Sequence, residues 1–253
     1  MQTPDGKDII PGCEPWSADG GPHGVLVLHG FTGNPQGLRG LAAAFAAAGF
    51  AVELPLLPGH GTSVEDMVDT GWPDWSGAAE AAYTSLAARC ERVVVAGLSM
   101  GASLAAWLAT RHPEIAGLVS VNPAVTVAPE VVTAVQDLLD GGTDHIPAIG
   151  GDVADPAGRE KAYESTPLRP LLSLAAAASE VRGDLGRITC PVLIMTSTQD
   201  HVIDPGDSDL LAEAVSGPVE RITLERSYHV ATLDYDKDLI NEQAVAFARK
   251  LTA

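Results

Sequence analysis

Cysteine is scarce in this sequence, with three residues among 253, at positions 13, 90 and 190. No two stand at CxxC spacing, which argues against a zinc site or a disulfide framework and makes a reduced cytoplasm the expected location. Basic residues are few as well: 15 Lys and Arg against 33 Asp and Glu, a net charge of −18. Such a surface repels phosphate backbones and anionic lipid, and Arg39, Arg89, Arg92 and Arg111 form no cluster, so no nucleic-acid partner is expected. No apolar run approaches the roughly eighteen residues of a membrane span. The N-terminal MQTPDGKDIIPG lacks the apolar core of a secretion signal. Stable membrane insertion is therefore not expected.

What is abundant is apolar text, 46% of the chain, enough for a core that buries roughly 70–75% of the unfolded surface at this length. Strand-like runs fall at 25–28, 50–54, 93–96, 118–121, 192–195 and 219–224. Helical stretches lie between most of them: 35–48, closed by Gly49; 72–88; 100–111, stopped by Pro113; 206–215; and 236–251, where Ile240, Ala244, Phe247 and Leu251 trace one face. Alternation of this kind predicts a mostly parallel sheet with helices on both faces, which binds ligands beyond the C-terminal ends of its strands. The interval from Asn122 to Arg187 breaks the pattern. It holds no convincing strand, helical text at 130–139, 159–165 and 168–181, and a Gly/Pro-rich connector, and is too long for a simple connection. The expected organisation is a core of residues 1–121 and 188–253, with 122–187 inserted as a helical cap.

The chemistry-bearing stretch is VVVAGLSMGASLAAWLA, residues 93–109. Gly97-Leu98-Ser99-Met100-Gly101 matches G-x-S-x-G where a strand turns sharply into a helix, a turn that strains the serine backbone and lifts its hydroxyl clear of the sheet. Small residues two positions to either side let strand and helix pass closely. A hydroxyl alone is a weak nucleophile and calls for a base and an orienting carboxylate, in the chain order Ser, Asp or Glu, His. The loop after strand 192–195 delivers Asp200; Asp204, Asp207 and Asp209 are its rivals, deeper in the loop and the next helix, where capping is the simpler job. The loop after strand 219–224 delivers His229 as base, whereas His201 reads as structural. The oxyanion hole takes the backbone N–H groups of Met100, at the start of the helix, and of Phe31, in the glycine-rich turn His29–Gly33. His29 itself reads as a brace beneath that turn. Neither metal nor organic cofactor is required.

With these residues in view, the sequence resembles the α/β-hydrolase superfamily and, within it, the compact bacterial monoacylglycerol lipases and carboxylesterases. The resemblance runs from about residue 24 to the end, through HGFTG (29–33), PGHGTSVEDM (58–67), GLSMG (97–101), TQDHVIDPGDSD (198–209), SYHVATLDYD (227–236) and the cap segment AYESTP (162–167). It departs at Ala102, where relatives often carry a second glycine. The resemblance implies Ser99, Asp200 and His229 as a triad, Phe31 and Met100 as oxyanion donors, and a cap that forms an acyl tunnel with Ile149 at its mouth. It also implies that Glu160 and Asn122 bind a glycerol head group. The expected substrate is a small-molecule lipid ester, a medium- or long-chain monoacylglycerol cleaved to fatty acid and glycerol through an acyl-enzyme. A general carboxylesterase is the alternative, and a thioesterase, peptidase, carbon–carbon hydrolase or triad-bearing ligand receptor stands further off.

Overall fold

The β-branched runs lie side by side in the computed structural model, which describes residues 1–148 and 150–253. In chain order the strands are β1 (Trp16–Ala18), β2 (His23–Leu28), β3 (Ala51–Leu54), β4 (Arg92–Leu98), β5 (Gly117–Val121), β6 (His145–Pro147), β7 (Ser165–Pro167), β8 (Val192–Ser197) and β9 (Val219–Leu224). Seven of them form one sheet in the order β1-β3-β2-β4-β5-β8-β9, and β6 pairs with β7 apart from it. Every pairing in the large sheet is parallel except that of β1 with β3.

Alternate residues of the central strands feed two separate cores, as period-2 geometry dictates. Leu26, Leu28, Val95, Leu118 and Ile194 pack with Trp75, Leu86 and Leu104 on one face. Val25, Val27, Val94, Val119 and Met195 pack with Leu41, Phe45, Ile240 and Phe247 on the other. The covering helices are α1 (Arg39–Ala47), α3 (Trp72–Ala87), α4 (Met100–Ala109) and α8 (Lys237–Thr252), with short α2 (Val64–Val68) before α3 and α7 (Gly206–Ala214) between β8 and β9. The predicted stripe of the last helix is buried at Ile240, Ala244 and Phe247.

Between β5 and β8 the chain forms α5 (Pro129–Asp140), the β6–β7 hairpin and α6 (Leu168–Asp184). Three expectations need correction. The start of the predicted 35–48 helix is a 3₁₀ turn over Pro35–Leu38. The hairpin adds strands where none was expected. Residues 159–165 are not helical, because tertiary hydrogen bonds take up the backbone groups that a helix needs. Gln36 Nε2 donates to Arg159 O at 2.8 Å, Lys161 N–H donates to Gln36 Oε1 at 3.1 Å, and Asn34 Nδ2 donates to Lys161 O. Among the described residues no helix is long and apolar enough to cross a membrane.

Candidate active site

Ser99 stands at the junction of β4 and α4 with φ 56° and ψ −122°, a left-handed conformation that a residue with a side chain rarely adopts. The flanking glycines are a steric necessity. A Cβ on Gly97 would lie 2.2 Å from the Gly101 carbonyl, and one on Gly101 would lie 2.0 Å from Leu28 O. The Ser99 N–H donates to Val121 O at 3.0 Å, which pins the turn to the end of β5. Met100 is the first residue of α4, so its N–H has no acceptor within the helix.

The turn after β2 runs directly alongside. A Cβ built on Gly30 would come within 3.4 Å of Ser99 Cβ and 4.0 Å of Ser99 Oγ, which puts the backbone next to Phe31 beside the nucleophile. His29 holds this turn from below. Burial pushes its pKa down to about 3, so the ring is neutral, with Nδ1–H donating to Gly30 O at 3.0 Å and Nε2 accepting from Leu57 N–H at 3.1 Å. His60, also held neutral by burial with a pKa of about 4, packs against the His29 ring with centroids 5.0 Å apart.

Asp200 and His229 meet directly, with Oδ2 2.7 Å from Nδ1 and side chains 2% and 8% exposed. The second Asp200 oxygen accepts from the N–H groups of Val202 and Ile203, each at 2.8 Å, which fixes the carboxylate in its loop. The rival aspartates are engaged elsewhere. Asp204 caps Gly206 N–H, Asp207 takes Val125 N–H, Thr126 N–H and the Thr126 hydroxyl, and Asp209 pairs with Arg221. The acid–base bond is closed. No serine–imidazole hydrogen bond accompanies it among the described residues, and such contacts are often long until substrate binds.

Asn122 is engaged within the protein. Its Nδ2 donates to His229 O at 2.8 Å and to Ser197 Oγ at 3.0 Å, and its Oδ1 accepts from Ser197 N–H at 2.7 Å. A buried amide engaged at both ends ties the strand before Asp200 to the loop of His229. Glu160 Oε1 is 3.2 Å from the position of a Cβ on Gly33, in the turn after β2. Burial raises its pKa to about 7, against an opposing pull from His229. Ile149 lies outside the described residues. Among those described, no group of three or more His, Cys, Asp or Glu side chains is gathered to hold a metal ion.

Sequence reasoning missed the carboxylates that hold the base loop. Buried Asp234 accepts from the N–H groups of Ala154, Asp155, Tyr228 and Tyr235 at 2.7–2.9 Å. Asp236 accepts from Arg226 N–H and the Ser227 hydroxyl. The signal was in the LDYD run after His229, but a sequence does not show which amides a carboxylate will meet.

A strained serine between close-packed glycines, a turn beside it and a buried Asp–His pair are groups that can carry out acyl transfer. Comparison with known proteins agrees. The chain is 43% identical over 246 residues to a thermostable monoacylglycerol lipase of Bacillus sp. (strain H-257), covering 96% of each chain. It is 28% identical over 240 residues to a carboxylesterase of Bacillus subtilis (strain 168), covering 94% of this chain and 97% of that one. A solved structure from work on LipS and LipT, two metagenome-derived lipolytic enzymes, superposes with a TM-score of 0.93 at 39% identity, covering 96% of this chain and all of that one. The model of the alpha/beta hydrolase family matches residues 25–243, and with sequence, sheet order and serine turn in agreement, the chain belongs to that family.

Proposed function

We propose that the protein is a carboxylic-ester hydrolase that cleaves monoacylglycerols to fatty acid and glycerol. The observation that carries this reading is the 2.7 Å Asp200–His229 pair at the strand ends that also present Ser99. Ser99 Oγ attacks the ester carbonyl carbon while His229 Nε2 takes its proton. The carbonyl oxygen becomes an oxyanion held by the N–H groups of Phe31 and Met100. The tetrahedral species collapses, the C–O bond to the alcohol breaks, and the imidazolium protonates the leaving oxygen. Water then adds to the acyl-enzyme with the same ring as base, which releases the acid and restores Ser99. Asp200 fixes the Nδ1–H tautomer and balances the charge on the ring.

The lipase relative supports a glyceryl ester as the substrate. So does Glu160, a carboxyl held half-desolvated near His229 and the donor turn, where a buried polar group favours an alcohol that can pair with it. Residues 122–187 serve as the cap over the acyl chain. A lipid ester is then the small-molecule partner, and a cytoplasmic location fits three free cysteines. The carboxylesterase relative favours a second reading, a general esterase indifferent to the alcohol. Purified enzyme assayed on glyceryl and ethyl esters of one fatty acid separates the two. A higher kcat/KM on the glyceryl ester supports the lipase reading, and equal values support the esterase. Failure to cleave either overturns both.

A further inference from the structure

Beyond the end of the β8–β9 pairing, the loop that carries Asp200 and the loop that carries His229 separate from the sheet. Gln199 Nε2 donates to Glu225 O at 2.8 Å between them, and the inserted segment adds a further bridge. Asp152, between β6 and β7, accepts from His229 N–H at 3.0 Å and from His201 N–H at 3.1 Å on one carboxylate oxygen. Its other oxygen lies 2.8 Å from His201 Nδ1, and its own carbonyl accepts from Val230 N–H at 3.0 Å. The Asp152 side chain is 9% exposed while that of His201 is 57% exposed, so the carboxylate sits inside and the imidazole closes over it. The His201 ring meets Tyr228 edge-on at 4.5 Å, a further contact between the loops.

His201 directly follows Asp200, so a single carboxylate from the insert grips the residue after the acid and the main chain of the base. Asn122 holds the same His229 residue by its carbonyl from the opposite side. The segment is itself fastened at its far end, where Tyr163 OH donates to Gly59 O at 2.8 Å and Gln36 bonds Arg159 and Lys161. Residues 152–163 therefore form a strap across the active site, fixed to the base loop at one end and to the donor-turn side at the other.

We propose that Asp152 is a positioning residue for His229: the inserted segment supplies the carboxylate that sets the distance and orientation between acid and base. The inference rests on the reading of His229 as the base. A carboxylate that only satisfied loose amides would change stability when removed, but not turnover in the folded enzyme. One that sets the acid–base geometry would change kcat with little effect on KM, because substrate contacts stay in place.

The test uses the full chain and a water-soluble p-nitrophenyl acyl ester, with Asp152→Ala, Asp152→Asn and, as a control, His229→Ala. Each is assayed below its own melting temperature, and the downfield proton resonance of the His229–Asp200 hydrogen bond is followed by NMR. Loss of a hydrogen bond to a charged group at this position should lower kcat about tenfold or more in Asp152→Ala, with KM within about threefold. The shared proton resonance should shift or broaden. Asp152→Asn keeps an acceptor for His229 N–H but sets an amide against His201, and should recover part of kcat while staying about threefold or more below wild type. A folded Asp152→Ala enzyme with wild-type kcat, an unchanged resonance, or a loss confined to KM overturns the proposal. If the alanine variant does not fold, wild-type kcat and resonance in Asp152→Asn overturn it. An active His229→Ala enzyme would instead remove the underlying reading, whereas an inactive one beside an unimpaired Asp152→Ala removes only this inference.

Discussion

The Asn122 side chain donates to the main-chain carbonyl of His229 across 107 positions of sequence, at 2.8 Å, while its own oxygen accepts from Ser197 N–H in β8. With Ser99 N–H bonded to Val121 O one residue earlier, two consecutive residues at the end of β5 touch the elements that carry Ser99, Asp200 and His229. Asn122→Ala leaves a buried N–H and a buried carbonyl without partners, at about 1–3 kcal/mol each. The expected outcome is a melting temperature lower by several degrees and a kcat reduced about tenfold or more on ethyl and glyceryl esters alike. A head-group role would instead raise KM on the glyceryl ester alone, so kinetics on the two esters decide between the roles.

Asp200→Asn preserves shape and removes charge. The amide cannot hold the imidazole in the tautomer whose Nε2 lone pair faces Ser99, and it cannot balance the imidazolium. A loss of about 10³–10⁴ in kcat is expected, with a smaller change in KM. The rate of Ser99 labelling by a fluorophosphonate should fall with it, because that reaction needs the same activated hydroxyl. Undiminished labelling would show that Asp200 does not serve the nucleophile.

The elements of the candidate site were legible in the sequence because each lies at the end of a strand. Val93–Ala96 reads as a strand, Gly97 and Gly101 announce a close approach, and Asp200 and His229 fall just past two later strand ends. What was illegible depends on distant partners. Residues 159–165 carry helix-forming text, yet Asn34 and Gln36 draw their backbone into an extended strap. Asn122 reads as a head-group position, and its bonds to Ser197 and His229 depend on partners 75 and 107 positions away. Asp152 contacts a residue 77 positions away, and no local pattern marks it.

Asp234 concentrates stability at one point. Its two oxygens accept four backbone N–H groups, two from the strap and two from the base loop. Asp234→Ala strands buried donors at about 1–3 kcal/mol apiece, against a total domain stability of about 5–15 kcal/mol. The expected result is a protein that is mostly unfolded, or that melts at least ten degrees lower, as measured by circular dichroism. Asp234→Asn, in which one oxygen becomes a donor facing donors, should fall in between. A near-wild-type melting temperature for the alanine variant would show that water replaces the carboxylate without cost.

Glu160 makes a prediction about pH. Burial raises its pKa from the ordinary 4.5 to about 7, so the folded state prefers the neutral acid, and the sign follows. Stability associated with this group is complete below about pH 4.5, declines as pH rises, and is lost above about pH 7. The ceiling on the loss is about 3 kcal/mol, reduced by whatever water reaches the carboxyl. Glu160→Gln stays neutral throughout, so its stability should fall less than that of wild type between pH 5 and 8, and it should overtake wild type at the alkaline end. The same titration should appear in substrate choice. In wild type the ratio of kcat/KM on glyceryl to ethyl ester should change near pH 7, as the carboxyl proposed to face the alcohol turns from donor and acceptor into acceptor only. In Glu160→Gln the ratio should be flat. A ratio that follows pH identically in both enzymes would assign the alcohol preference to some other group.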